Sequence, residues 1–336
     1  MAVYFKQLSN MKFKHFQIFF VILTIFSLNA CKSEQKKQKK IAKTALEKAE
    51  DLPANNLQFK DVNGIRFFEV KRRFKNGLSF NEDGFQQEPT WVIEFKAPDT
   101  MLAYSPEIKG MESFYLHHDH GRIYNFAREF FRVRIISKDS LVLQRVQVDA
   151  MRIAGDEDPR SDVYSTYYSK KHIDKLNTTI GELQKPTKRD TAFIKKLTAA
   201  SDEDPGNPKK AYPARQPVVF TPNSKNVSVK KISTVDDLNN RKSAVDYFYP
   251  HYEIVINKAY KDFAYSFSVV VDAKGKMYVT KGYEYVLEEY REQRKRLLQG
   301  IADTYLSNLF YVTPGKTLGI PHSSEISLRV IGKTGK

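Results

Sequence analysis

Short apolar segments separated by turn residues run from residue 57 to about residue 170. The clearest pair spans residues 131–136 and 141–146, and Asp139-Ser140 lies between them. Asp119-His120-Gly121 marks another hairpin, because glycine suits the left-handed position of a tight turn. Short strands at this spacing predict a meander, a sandwich or a small barrel. We therefore expect an antiparallel β domain over residues 57–200.

The last third of the chain has a different pattern. Residues 265–271 form a strand, Asp272-Ala273-Lys274-Gly275 a tight turn, and a second strand follows. Apolar residues then recur at steps of three and four from Tyr283 to Tyr305, which is typical of one face of a helix. Residues 325–330 alternate again as a closing strand. The order ββαβ predicts an α+β domain over residues 218–336.

Between these two regions, residues 201–217 are polar and rich in proline, which predicts a linker.

The first residues have the pattern of an export signal. Lys6, Lys12 and Lys14 precede an apolar run over residues 16–28. This run is shorter than the ~20 residues of a membrane-spanning helix, but it fits the core of a signal peptide. Residues 1–30 are therefore predicted to be a leader, and residues 31–56, with a cluster of lysines, a tether.

The leader ends in Leu28-Asn29-Ala30-Cys31, which resembles the lipobox of bacterial lipoproteins. The resemblance implies cleavage before Cys31 and a diacylglycerol group on its sulfur, so that membrane lipid is the first expected partner. Cys31 is the only cysteine and cannot form an internal disulfide. Lys32 follows it, and by the sorting rule of enteric bacteria this indicates a lipid-anchored location in the cell envelope, at the outer membrane.

The chain carries a formal net charge of +16, and removal of the three leader lysines leaves +13. Such a balance favours contact with anionic lipid headgroups or nucleic acid. An exported, tethered chain does not meet nucleic acid, so we expect no nucleic-acid partner. Solubility alone is the alternative explanation for the charge.

The C-terminal region resembles the C-terminal domain of TonB-type proteins over roughly residues 250–332. The resemblance rests on Val-Val-Asp-Ala-Lys-Gly-Lys at 270–276, the following helix, and a Pro-Gly-rich segment in which Pro314, Gly315, Gly319 and Pro321 match the family pattern. Tyr311 and Val312 occupy the place of the family's tryptophan. The resemblance to this domain implies docking of an envelope protein. We expect Tyr265 and Phe267 to take part in the docking, along with the four matching residues. A cleaved leader and the lack of a long proline-rich span argue against energy transduction.

Residues that suggest catalysis are few. His118 and His120 are the best candidates for metal ligands, but zinc sites usually need three or four ligands. No Gly-x-Ser-x-Gly motif and no phosphate-binding loop occur. We expect no cofactor, no metal and no enzymatic activity.

The sequence thus predicts a lipid-anchored envelope protein with a non-catalytic docking role. One alternative is a lipocalin-like carrier of a small apolar ligand, since Trp91 and the strand pair at 131–146 resemble lipocalin-like domains. Another is a metal-dependent enzyme that uses the histidines. A closed cavity within residues 65–146 would favour the carrier. An open sheet edge near 265–280 or 325–330 would favour docking, and further ligands converging on His118 would favour the enzyme.

Overall fold

The structure is a computed structural model, and it describes residues 57–149, 152–153, 159–233, 235–236, 241–242 and 245–335. The leader, Cys31 and the tether lie outside the described residues.

The N-terminal region is a single curled antiparallel sheet. Within the described ranges, nine strands pair in the order β4-β3-β2-β1-β11-β8-β7-β6-β5, while β9 and β10 form a separate small pair. The strands have the following bounds: β1 Arg66–Phe74, β2 Val92–Lys96, β3 Thr100–Ser105, β4 Gly110–Tyr115, β5 His117–His120, β6 Ile123–Phe126, β7 Glu129–Ile136, β8 Ser140–Val146, β9 Val148–Asp149, β10 Arg152–Ile153 and β11 Val163–Ser169.

Chain connectivity explains why this sheet is a nearly closed, barrel-like structure. The two edge strands, β4 and β5, are separated in sequence by Leu116 alone. A flat sheet of nine strands spaced about 4.8 Å apart would hold its edges far from each other. The sheet must therefore curl until its first and last strands meet.

Alternation along the strands fills the inside of this curl. Phe126 and Phe131 stack with their ring centroids 4.4 Å apart. A 3₁₀-helix, Phe59–Val62, packs over one end, and Phe59 stacks on Phe95 at 4.1 Å. The buried interior is otherwise apolar: Phe67, Ile93, Met101, Leu116, Val133, Ile136, Leu141, Leu143 and Tyr167.

Three helices follow the barrel-like sheet: α1 (Lys170–Lys175), α2 (Ile180–Gln184) and α3 (Lys188–Asp202). Helix α3 begins with a capping box in which Thr187 and Asp190 bond reciprocally to each other's backbone N–H groups. Asp190 is fully buried and also accepts hydrogen bonds from the Ser79 N–H and the Arg73 guanidinium. The cap therefore joins α3 to the hairpin after β1.

The C-terminal region is built on a mixed sheet. Five described strands pair in the order β13-β16-β22-β17-β18, and only β16 and β22 run parallel. The elements have the following bounds: β12 Val219–Pro222, β13 Val227–Ile232, β14 Val235–Asp236, β15 Arg241–Lys242, α4 Val245–Phe248, β16 His251–Asn257, β17 Phe263–Val271, β18 Met277–Gly282, α5 Arg291–Gly300, α6 Ser307–Leu309, β19 Phe310–Thr313, β20 Lys316–Thr317, β21 Ile320–Pro321 and β22 Ser324–Lys333.

One face of this sheet carries the second core. Strand β22 alternates strictly, so that Ile326, Leu328 and Val330 are buried while Glu325 and Ser327 face the other side. Helix α5 and a π-helical stretch, Ile301–Leu306, pack on the buried face through Leu298 and Leu306. The opposite face is mixed: polar Ser268 and Ser327 lie there beside the buried Val270.

The observed architecture is mainly β with an α+β C-terminal part, and the predicted fold class is confirmed. From residue 170 onward, where the predicted strand pattern ends, the region contains the three helices α1, α2 and α3. One local prediction was wrong. The C-terminal helix begins at Arg291 instead of Tyr283, because Tyr283 and Tyr285 are exposed and do not belong to a buried helical face. The domain boundaries remain predictions.

Candidate functional site

A groove of about 720 Å³ opens on the mixed face of the C-terminal sheet, and we call it the sheet groove. Its floor comes from strands β17 and β22. Its walls come from the 82–83 loop of the barrel-like region and from residues 208–213. Phe248 and Tyr249, at the end of α4, form its rim.

The floor is a hydrogen-bonded cluster of hydroxyl groups. Ser268 on β17 lies directly opposite Ser327 on β22. The hydroxyl of Tyr283 is 2.6 Å from Ser268 Oγ and 2.9 Å from Ser327 Oγ. These two bonds hold the tyrosine hydroxyl on the sheet, while about half of the residue's surface stays exposed.

A second aromatic ring stands across the groove. Tyr249 is 69% exposed, and its neighbours hold it in place. Phe248 packs near Phe85 at 6.0 Å, and the hydroxyl of Tyr247 accepts a hydrogen bond from the Gln86 N–H at 3.3 Å. Tyr249 is thus an exposed ring on an anchored support.

The charged lining of the sheet groove is mixed. Three acidic side chains, Glu82, Asp83 and Glu325, face two basic ones, Lys209 and Lys281. The lining therefore carries a formal net charge of −1, in contrast to +16 for the chain as a whole.

The wall formed by Tyr212 is rigid and uncharged. Its ring stacks on His322 at 3.6 Å with an interplanar angle of 7°, and its hydroxyl is 2.8 Å from Thr198 Oγ1 on α3. His322 Nε2 is 2.9 Å from Thr317 Oγ1. Burial lowers the pKa of His322 to about 4 and raises the pKa of Tyr212 to about 12, so both are neutral near pH 7.

A second groove of about 640 Å³, the helix groove, lies between the end of β18 and helix α5. It shares Lys281 and Tyr283 with the sheet groove. Tyr285 lines this groove, and three further exposed side chains follow it in the chain. We call these four residues the aromatic surface: Tyr285, Leu287, Tyr290 and Leu297. Tyr285 is 91% exposed.

Charges within the segment around the aromatic surface neutralise one another. Residues 283–297 contain four glutamates and four arginine or lysine residues, which gives no net charge. Arg294 pairs with Glu284, and Arg291 lies 3.6 Å from Glu288.

The free edge of the C-terminal sheet at β18 is capped by a side chain. Gln299 on α5 accepts a hydrogen bond from the Val279 N–H at 2.8 Å and donates one to the Met277 carbonyl at 2.9 Å. The glutamine amide thus occupies the positions that an added strand would use.

The structure separates the docking residues that the sequence suggested. Phe267 is fully buried in the core, and Tyr265 is partly buried beneath the Arg294 guanidinium, 4.6 Å from the ring centroid. Strands β17 and β22 are both interior, so neither offers a free edge to a partner.

The four matching Pro and Gly residues shape the turns around β20 and β21. A Cβ atom on Gly315 would lie 2.5 Å from Ala214 Cβ, so only glycine fits there. Gly319 has φ +77° in the two-residue turn between Thr317 and Ile320. Pro314 precedes Gly315, and Pro321 ends β21. These residues position the wall around His322.

The two metal candidates have separate partners. His118 Nε2 lies 3.1 Å from the Gly121 carbonyl, and His120 contacts Asp119. Both are exposed on β5. In the described part of the chain, no group of three or more His, Cys, Asp or Glu side chains is arranged to hold a metal ion.

Comparison of the sequence with protein-family models gives no match, and none of the curated proteins matches it. Within the described ranges, none of the helices has the length and apolar character needed to cross a membrane. Sequence reasoning missed the sheet groove because its lining comes from six separate segments of the chain. Two residues of this lining, Tyr249 and Tyr283, are exposed aromatic side chains, but their exposure is not visible in the sequence.

Proposed function

We propose that this chain is a lipid-anchored protein of the cell envelope, at the outer membrane, whose C-terminal region docks a protein partner through the aromatic surface. The role is binding and not catalysis. The anchor is the acylated Cys31, and the tether lets the folded region reach its partner.

The observation that carries the docking proposal is a local excess of exposed apolar side chains. In the residues that the structure describes, fourteen large hydrophobic side chains are exposed, and five of them lie between Tyr283 and Leu297. Scattered exposed hydrophobics are ordinary, but a cluster of this kind is typical of an interaction surface. Tyrosine is especially enriched at protein interfaces.

The charge balance of the same segment favours a protein as the occupant. An anionic membrane or a nucleic acid is held mainly by unpaired basic residues. Around the aromatic surface, Arg294 is paired with Glu284 and Arg291 with Glu288, and residues 283–297 carry no net charge. A protein partner that buries the tyrosines needs no compensating charge.

Site-specific crosslinking in intact cells tests the docking. A photo-reactive phenylalanine analogue replaces Tyr285, and the same analogue replaces Tyr311, which is 71% exposed but belongs to β19, as a matched control. We expect one discrete protein adduct from position 285 and none from position 311. The adduct should be lost when Tyr290→Ala is added. Equal labelling at both positions, or an adduct that Tyr290→Ala leaves intact, would refute the docking surface.

The anchor is tested separately, by the mass of the N-terminal peptide and by membrane fractionation. A diacylglyceryl mass on Cys31, together with release of Cys31→Ala from the membrane, is the expected result. A chain that keeps residues 1–30 and carries no lipid would contradict it.

A second candidate function rests on the barrel-like sheet, which is compatible with a lipocalin-like binder of a small apolar ligand. A cavity of about 190 Å³ opens at the end covered by the 3₁₀-helix, next to Phe59, Tyr124 and Val133. Ligand pockets usually enclose about 300–1,000 Å³. This carrier therefore predicts a ligand much smaller than a lipid. Titration with indole, with Val133→Trp as the blocking variant, tests it, and an affinity that the variant does not change would refute it.

A further inference from the structure

We infer that the sheet groove is a binding site for a neutral saccharide. This site is distinct from the aromatic surface and does not depend on the docking proposed above. The residues Lys281 and Tyr283 line both the sheet groove and the neighbouring helix groove, but neither belongs to the aromatic surface.

The groove has the size of a ligand site. Its volume of about 720 Å³ lies within the roughly 300–1,000 Å³ that is typical of small-molecule sites. Its floor comes from paired strands of a sheet, and one wall is Tyr212, whose ring is supported from behind by stacking on the buried His322. A site on such supports is already formed before the ligand arrives, so little ordering cost opposes binding.

The lining has the two kinds of group that a sugar requires. Sugars offer C–H faces, which pack on aromatic rings, and hydroxyl groups, which both donate and accept hydrogen bonds. Tyr249 and Tyr283 supply exposed rings on two sides of the groove. Ser327, the carboxylate of Glu325 and the ammonium of Lys281 supply acceptors and donors between them.

Tyr283 joins both roles in one residue. Its hydroxyl is held between Ser268 and Ser327, so that the orientation of the ring is fixed. Lys281 lies over the same ring with its Nζ atom 5.7 Å from the centroid. A sugar that packs on the exposed part of this ring therefore has an ammonium donor close by.

The formal charge of the lining selects among sugars. Three carboxylates and two ammonium groups give a net −1, so an anionic glycan would meet like charge. A neutral sugar faces no such repulsion. The net charge of the whole chain, +16, would suggest the opposite preference.

An extended peptide fits the groove less well. Peptides that recognise sheets usually add to a free edge and pair with its backbone. The floor here is the face of the sheet, formed by interior strands, and the β18 edge is occupied by Gln299. The groove therefore does not present the unpaired backbone N–H and C=O groups with which a peptide strand would pair.

Calorimetric titration of the full chain in a zwitterionic, sugar-free detergent tests the inference. The probes are chitotriose and maltotriose as neutral trisaccharides, trigalacturonate as an anionic one, and tri-alanine as a peptide. We expect one or both neutral trisaccharides to bind, and trigalacturonate to bind at least tenfold more weakly. Tyr249→Ala removes one ring from an exposed position and should weaken binding about tenfold. Tyr311→Ala, equally exposed on β19, should leave it unchanged.

Ser327→Ala supplies a second variant, since it removes one hydrogen-bond partner of Tyr283 without emptying the groove. We expect a threefold to tenfold loss of affinity and a normal circular dichroism spectrum. Absence of binding by both neutral trisaccharides at millimolar concentration would overturn the inference. So would binding that Tyr249→Ala does not alter, stronger binding of trigalacturonate, or binding of tri-alanine alone. Crosslinking at position 285 remains an independent readout of docking.

Discussion

The buried carboxylate of Asp190 provides a sharp test of how the helical region is attached to the barrel-like sheet. It accepts hydrogen bonds from the Ser79 N–H at 2.8 Å, from Arg73 Nη1 at 2.9 Å, and from the N–H and hydroxyl of Thr187 at 2.7 Å each. Asp190→Asn keeps the shape of the side chain but removes the charge. One acceptor oxygen becomes a donor that faces other donors.

The magnitude follows from the pKa. Burial by itself would raise the pKa of Asp190, but the hydrogen bonds from Ser79, Thr187 and Arg73 outweigh it and hold the pKa at about 2. Relative to the ordinary value of 3.8, this corresponds to roughly 2 kcal/mol of folding free energy. Breaking a buried ion pair costs about 3–5 kcal/mol. Arg73 keeps a second acceptor in the Gly77 carbonyl, so we expect a loss of about 2–3 kcal/mol.

The pH dependence has a definite sign. The folded state holds the Asp190 pKa below that of the unfolded chain, so the contribution is complete above about pH 4 and is lost as the pH falls toward 2. The advantage of the wild type over Asp190→Asn should therefore shrink across this range. Urea unfolding followed by circular dichroism measures both quantities.

Asp174→Asn is the matched control for this test. Asp174 is also a helical aspartate, but its bond to Lys170 is exposed, so we expect a change of no more than about 0.5 kcal/mol. If the two variants lose equal stability near pH 7, or if the Asp190→Asn difference persists unchanged at pH 2, then the bonds to Ser79, Thr187 and Arg73 do not stabilise the fold as argued.

Three further perturbations test other parts of the structure by urea unfolding and size-exclusion chromatography. Gly315→Ala should destabilise by about 2 kcal/mol because its Cβ would overlap neighbouring atoms, whereas Gly300→Ala, with open space around it, should be neutral or slightly stabilising; equal effects would contradict the close packing. The wild type should lose roughly 3 kcal/mol of folding free energy as the pH falls from 6.5 to 4, because the buried neutral His322 has a pKa of about 4. His322→Phe should not show this loss. An unaltered pH profile in the variant would show that this ring is not the group responsible. Gln299→Ala should cost about 1–2 kcal/mol and increase self-association by exposing the β18 edge, while exposed Gln293→Ala should do neither; a monomeric Gln299→Ala variant of full stability would show that the edge needs no cap.

The sequence was enough to predict those elements that are determined by the residues within and next to them. Strands β7 and β8 alternate with period two around a short turn, and the hairpin between β17 and β18 has its glycine at φ +83° where the sequence placed it. Helix α3 also had a local signal, the Thr187-x-x-Asp190 capping box, which was overlooked. The near-closure of the nine-stranded sheet had none. It depends on the pairing of β1 with β11, about a hundred residues away.

The site was harder to predict because burial depends on tertiary context. Tyrosine occurs both in cores and on surfaces, and sequence periodicity alone assigned Tyr283 to a buried helical face. In the structure, its hydroxyl contacts two serines, Ser268 and Ser327, which are distant in sequence but opposite each other in the sheet, and its ring lines a groove. Phe267 shows the opposite error: a residue expected at the surface is buried. The family resemblance suggested that Phe267 takes part in docking, but it lies on the interior strand β17 and is 0% exposed.

The distribution of charge connects the two proposed binding surfaces with the proposed anchor. The sheet groove has a net charge of −1 and residues 283–297 have none, so the excess positive charge of the chain lies elsewhere. Positive charge near an anionic leaflet is attractive, and this attraction is screened by salt. A tethered chain would therefore turn its basic surfaces toward the membrane and its neutral binding surfaces away from it. On this reasoning, the Cys31→Ala protein released from cells should bind purified anionic vesicles weakly and less strongly as salt is raised, while trisaccharide affinity at the sheet groove should be nearly independent of salt.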